Sequence, residues 1–173
     1  MPDLIAPSSK FHLAWLEAHR EWGAGQHEDG FGLGESDEIE TAEGFAAWIG
    51  RLVTQSDSTI PVLAGQAHCT YRWIVDGTEL LGGIALRHEF TDFVARMGHI
   101  GYGVRPSARG RGVATWALGR MLGEARTIGL ERVLIVCEPD NVASSGVIEH
   151  NGGVLDNPAE TDQPLPRRYW IKL

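Results

Sequence analysis

Cysteine is nearly absent from this chain: Cys69 and Cys137 are the only two among 173 residues, each inside an apolar, strand-like run. That scarcity excludes a disulfide framework and makes reduced, buried thiols the expectation, with a nucleophilic Cys137 as the lesser alternative. Long hydrophobic runs are missing too, since no stretch approaches the about 20 apolar residues of a bilayer-spanning helix. The opening Met1-Pro2-Asp3-Leu4-Ile5-Ala6-Pro7 lacks the basic and then apolar order of a secretory leader. A cytoplasmic protein with no membrane partner is expected. Positive charge is in deficit, with 15 Lys and Arg against 23 Asp and Glu and a net charge of −8. A nucleic-acid partner is therefore not expected, because phosphate binding calls for a basic surface; the acidity suits a cationic acceptor or simple solubility. The seven histidines, His12, His19, His27, His68, His88, His99 and His150, show neither helical i, i+4 pairing nor partnership with clustered cysteines. No metal is expected.

What is present suffices for one domain, residues 1–173, able to bury a continuous core. There is no internal repeat, and Gly23 to Gly44, rich in glycine and acid, reads as an irregular crossing. Before it, Ser8 or Ser9 can cap a helix running to about Trp22, with Phe11, Trp15, Leu16 and His19 on one face. After it, Thr41 can cap a second helix that spaces Phe45, Trp48, Ile49, Leu52 and Val53 for burial. Cys69 to Val75 and Glu79 to Leu86 read as an antiparallel hairpin turned at Asp76-Gly77. A looser segment, Arg87 to Met97, leads to a strand over 98–104, where Gly101 and Gly103 alternate with larger residues and leave backbone bare. Val113, Ala114, Ala117, Leu118, Met121, Leu122, Ala125 and Ile128 then recur at helical spacing until Gly129. Val133 to Cys137 is apolar throughout, as for a strand buried on both faces, and a helix follows Pro139-Asp140-Asn141 as far as Asn151-Gly152-Gly153. Val154 to Asn157 and Arg168 to Leu173 read as closing strands around the polar loop Pro158 to Pro166. The whole is an α/β fold with helices on both faces of a mixed, mostly antiparallel sheet.

The segment Arg105-Pro106-Ser107-Ala108-Arg109-Gly110-Arg111-Gly112-Val113-Ala114-Thr115 lies between a strand and the opening turn of a helix. Its backbone N–H groups and the helix dipole form an anion site, the glycines allow close approach, and Arg105, Arg109 and Arg111 add charge. A pyrophosphate fits. The order Gly-x-Gly-x-x-Gly and the Gly-Lys-Ser/Thr of a P-loop are both missing, so neither nucleotide fingerprint applies. No acidic ribose reader follows at the spacing a nucleotide-binding protein requires.

Arg109-x-x-Gly112-x-Ala114, after a strand ending in Val104, resembles the Gln/Arg-x-x-Gly-x-Gly/Ala signature of the GNAT superfamily of acyl-CoA N-acyltransferases. A second block, Asp140-Asn141-Val142-Ala143-Ser144-Ser145-Gly146, resembles that family's later motif, in which an Asn and a Ser open the helix beside the pantetheine arm; taken alone, both are also good helix caps. His99-Ile100-Gly101-Tyr102, Asn151-Gly152-Gly153 and Arg168-Tyr169-Trp170-Ile171 are similar to a branch of bacterial predicted acetyltransferases. The likeness is close over about 69–173 and loose over 1–68.

The resemblance implies acetyl-CoA as co-substrate, no metal, and direct transfer to a primary amine of a small molecule, amino acid or peptide. It also implies a fold in which strands 98–104 and 132–137 run parallel and splay to admit the pantetheine arm. On this reading 1–68 carries the acceptor side, 69–137 the core hairpin, coenzyme strand, pyrophosphate loop and helix, and 138–173 the last helix and closing strands. Coenzyme contacts would come from Gly103, Val104, Arg109, Gly110, Arg111, Gly112, Val113, Ala114, Thr115, Asn141 and Ser144. The family's thiolate-protonating Tyr, four residues after the Ser, is Ile148 here, so Tyr102 and Tyr169 are the substitute catalytic candidates. Tyr102 shares the face of Val104 and is expected to look toward the acceptor; His99 lies on the other face and reads as structural. Arg87 and His88 could read a carboxylate or phosphate on the acceptor. Family members often pair, which extends to a homodimer, and the departure at Ile148 also allows a coenzyme A-binding module without chemistry.

Overall fold

A computed structural model describes residues 1–23, 30–156 and 165–173. Strand β1 (Asp3–Ile5) leads through a 3-10 turn at Ser9–Phe11 into helix α1 (His12–Trp22). Ser8 caps that turn, accepting from the Lys10 N–H. Helix α2 (Ala42–Ser56) starts at Thr41, whose hydroxyl accepts the Gly44 N–H at 3.1 Å. Phe45, Trp48 and Leu52 of α2 are buried, but Val53, expected inside, lies one residue beyond the buried stripe and is exposed.

The hairpin of β2 (Cys69–Asp76) and β3 (Glu79–Arg87) forms as its turn residues require. Residues 87–97, expected as a loose connection, contain helix α3 (Asp92–Met97), capped by Thr91. Strand β4 (Ile100–Val104) follows, then α4 (Val113–Thr127), β5 (Arg132–Cys137), α5 (Val142–His150), the short β6 (Val154–Leu155) and β7 (Arg167–Lys172). Most of the loop expected over Pro158 to Pro166 and part of the Gly23 to Gly44 crossing lie outside the described residues.

The ladders order as β1-β2-β3-β4 and β5-β7-β6, all antiparallel. Between the two groups the expected parallel pairing of 98–104 with 132–137 does not form: the strands splay so far that one bridge, Gly98 to Ile135 and antiparallel in type, is all that remains among the described residues. His99 fastens that point: its N–H bonds the Leu134 carbonyl at 2.6 Å, and its Nδ1 accepts the Leu134 N–H at 2.9 Å. Beyond it the strands part.

Two apolar layers hold the sheet. One packs Ile84, Leu86 and Ile100 against α4, α5 and the inner face of β5. The other is aromatic, with Trp15, Trp22, Phe31, Phe45, Trp48 and Trp73 joining α1 and α2 to the opposite face. Side chains alternate along β4, so Tyr102 and Val104 pack on the α4 layer, while Gly101 and Gly103 present bare backbone to the α1/α2 side. A Cβ on Gly83, the ladder partner of Gly103, would strike the Phe31 ring, which fixes the α1/α2 face independently.

Candidate active site

Where β4 and β5 part, a cavity of about 700 Å³ passes through the sheet. Its wall runs from Trp22, Arg87 and Gly101 to the loop after β4 and the first turns of α4 and α5.

The loop has the shape its glycines dictate. Gly110 and Gly112 adopt φ of 72° and 74°, and a Cβ on either would meet no atom within 4 Å. They are therefore needed for a left-handed backbone and for open space, not for packing. No side chain caps α4, leaving the N–H groups of Val113, Ala114 and Thr115 directed at the cavity they line. Arg109 lines it as well, its Nε donating to the Val104 carbonyl at 3.0 Å. Arg111, expected to share this role, is exposed between the two glycines and is not on the cavity wall.

Arg105 does not supply the charge expected of it. It is 5% exposed and surrounded by Glu21 (2.5 Å), Glu17 (3.1 Å) and Glu79 (3.6 Å). Glu21 also accepts the Ser107 N–H at 2.5 Å and the Ser107 hydroxyl at 3.1 Å. Burial pushes the Glu21 carboxyl up, but the bonds from Ser107 and Arg105 outweigh it and leave its pKa below the ordinary 4.5. Arg105 thus ties α1 to the base of the anion loop.

At the other wall, Asn141 caps α5 by accepting the Ser144 N–H at 3.0 Å, so its capping role holds while it also lines the cavity. The Ser144 hydroxyl lies 2.8 Å from the Tyr102 hydroxyl. This pair links β4 to α5 across the opening: Tyr102 faces the α5 side, with Val104, and the other face of β4 is glycine. Ile148 is fully buried in the core.

Tyr169 is corrected outright as a site residue. It is 1% exposed, packs within the α4 layer and donates to Glu149 at 3.0 Å, off the cavity wall. His88 is likewise elsewhere, its Nε2 within 2.8 Å of the Thr70 hydroxyl, because it sits one residue past the end of β3 and on the face opposite Arg87. Arg87 does line the cavity. His99 is structural: burial drives its pKa down to about 4, helped by the charges of Arg87 and Arg132, so it stays a neutral acceptor for Leu134. Arg96 and Met97 of α3 and Glu138 after β5 also line the cavity, unnoticed in the sequence. The signal for α3 was Thr91-Asp92, a cap followed by an acid, too short a run to show periodicity.

Among the described residues no group of three or more His, Cys, Asp or Glu could hold a metal, and no helix is long and apolar enough to cross a membrane.

The family model described as Acetyltransferase (GNAT) domain matches residues 12–154. The N-terminal helices, only loosely similar by motif, fall within that match. No curated protein matches the chain in sequence. Solved structures share its fold. One is the acetyltransferase that modifies the N-terminal serine of 50S ribosomal subunit protein L7/L12 from Salmonella typhimurium, at TM-score 0.68 and 17% identity, over 99% of this chain and 95% of that one. Another is RimL, a ribosomal L7/L12 alpha-N-protein acetyltransferase in complex with coenzyme A, at 0.70 and 16%, over 99% and 94%. A third is the microcin C7 self-immunity acetyltransferase MccE in complex with acetyl-CoA and AMP, at 0.65 and 16%, over 99% and 92%. The matched domain, with the loop and the opened sheet, makes this chain a member of the GNAT acetyltransferase family.

Proposed function

We propose that the protein transfers the acetyl group of acetyl-CoA directly to a primary amine of a small molecule, amino acid or peptide. The observation that carries this is the through-sheet cavity, with the phosphate-holding loop and α5 at one side and the glycine face of β4 at the other. The coenzyme lies along Gly103 and Val104 with its pyrophosphate at Arg109 to Thr115, and Asn141 and Ser144 flank its pantetheine arm. Residues 1–68 supply the acceptor side, to which Trp22 contributes.

Backbone supplies the oxyanion donor. The Arg105 N–H bonds the Leu81 carbonyl and the Arg87 N–H bonds the His99 carbonyl, so antiparallel alternation turns the N–H groups of Tyr102 and Val104 toward the opening. A donor held there before reaction stabilises a tetrahedral oxyanion without reorganisation. The acceptor, with a pKa of about 10.4 if it is a lysine-like amine, must lose a proton before attack. Glu138 is the one carboxylate on the described wall. Tyr102, hydrogen-bonded to Ser144, donates to the departing thiolate in place of the family Tyr. That help is modest, because a thiol pKa of about 8.5 already makes the thiolate a fair leaving group.

Thiol release from acetyl-CoA with a broad amine panel, with the acetylated product identified by mass, tests the reading. Tight coenzyme A binding with no release from any amine would replace it with a binding module, the alternative that Ile148 in the core favours.

A further inference from the structure

We propose that the acceptor carries an anionic oxyacid group, a carboxylate or a phosphate, and that the Arg87 guanidinium holds it on the α1/α2 side of the cavity. This rests on the amine-transfer reading and adds the chemical class of the amine.

Charge on the wall runs against the charge of the chain. The molecule carries −8, yet among the described residues the charged groups lining the cavity are Arg87, Arg96, Arg109 and a single carboxylate, Glu138. The coenzyme phosphates account for Arg109, next to the uncapped start of α4. They do not account for Arg87. It stands at the far end of β3, where its N–H meets the His99 carbonyl, five residues before Val104. Its guanidinium reaches over Gly101, three residues before Val104, which at about 3.3 Å per residue is roughly 10 Å along the strand from the loop.

The other arginines set the contrast. Arg51 meets Asp37, Arg72 meets Glu124, Arg105 meets Glu17, Glu21 and Glu79, and Arg168 meets Asp156. Arg87 and Arg167, though partly buried, meet no carboxylate among the described residues, and of these two only Arg87 is on the cavity wall. A partly desolvated guanidinium without a counterion is unfavourable unless an anion visits it.

Arg87 is also held in place. One N–H donates to the Gly98 carbonyl at 3.1 Å, and the Phe93 ring covers the guanidinium at 5.1 Å. Beneath it is Gly101, where a Cβ would lie 3.8 and 4.0 Å from the two terminal nitrogens. The remaining donors of the planar fork thus face a floor with no side chain, ready for two oxygens of one oxyacid. Arg96, exposed on α3, adds charge at the same end.

The test compares matched acceptors: amino acids against their amides, and phosphoethanolamine against ethanolamine, each with wild type, Arg87→Met and Arg87→Lys. The thermal midpoint of each variant reports on folding. We expect kcat/KM to favour the anionic member by about 10- to 100-fold, as charged hydrogen bonds are worth. Arg87→Met should collapse that preference and Arg87→Lys restore part of it; the pair that discriminates identifies carboxylate or phosphate. Equal use of charged and neutral amines, or a preference that survives in Arg87→Met, overturns the assignment while leaving amine transfer intact. If no amine reacts, calorimetry of the N-acetylated acids and amides on the coenzyme A complex decides. Acid binding that Arg87→Met weakens supports the anion site although transfer has failed, and acid binding that Arg87→Met leaves unchanged, or no binding, overturns it.

Discussion

Replacing Glu21 by Gln removes one negative charge from a helix whose partner cation cannot turn to water. Arg105 is 6% exposed in its side chain, and Glu21 meets it at 2.5 Å while Glu17 and Glu79, themselves 72% and 52% exposed, stand at 3.1 and 3.6 Å. The substitution keeps the methylene packing, loses the strongest of three ion pairs, and weakens the acceptor for Ser107. Breaking a buried pair outright costs about 3–5 kcal/mol. With two outer carboxylates remaining, about 2–3 kcal/mol is expected, which for a chain of this size is a thermal midpoint lower by about 5–10 °C. Because Ser107 sits two residues before Arg109, coenzyme A affinity should fall along with stability. The pH dependence has a definite sign: the folded carboxyl pKa lies below the ordinary 4.5, so its contribution is present above that value and lost as pH falls through the folded pKa. Chemical denaturation at neutral and acid pH, with coenzyme A titration by calorimetry, measures each part. A loss under about 0.5 kcal/mol, the scale of an exposed pair, would refute the view of Arg105 as a buried tie.

Other consequences follow from the same geometry. Tyr102→Phe should lower kcat by about 10-fold with little change in KM for acetyl-CoA, since proton donation to a thiolate is helpful but not essential; steady-state kinetics with product analysis decides. Gly112→Ala places an L-residue at φ 74°, which costs about 1–2 kcal/mol of strain, and should weaken coenzyme A binding by about 10-fold in calorimetry. Gly82→Ala would drive a Cβ into the Gly103 carbonyl oxygen, so urea denaturation should show a loss of at least about 2 kcal/mol. His68 donates toward Glu89 and the Ile60 carbonyl, the Glu89 contact foremost in raising its pKa above 6.5. Its contribution to stability is present below that ordinary value and lost as pH rises through the raised one; Glu89→Gln should flatten that limb of a melting-temperature profile against pH.

The sequence by itself determined the local structure and the loop proposed to hold the coenzyme. Periodicity specified α1, α2 and α4, the flanking Pro139-Asp140-Asn141 and Asn151-Gly152-Gly153 bounded α5, the Asp76-Gly77 turn specified the hairpin, and glycines at 110 and 112 specified an open loop before an apolar helix, because each of these depends on neighbours in the chain. Tertiary structure alone decided which charges were available. Arg105, Arg109 and Arg111 look alike in sequence, yet Glu17 and Glu21, more than 80 residues earlier, neutralise the first, and only the second faces the cavity. The same holds for the aromatic candidates. Tyr102 reached the cavity and Tyr169 the core, because which face of a strand meets solvent, helix or ligand is set by the layers packed on it. The rest of the wall was legible only in part for that reason: Arg87 stood out in the sequence, but Arg96 and Trp22 come from two other elements, and only the parting of β4 from β5 brings the three to one wall.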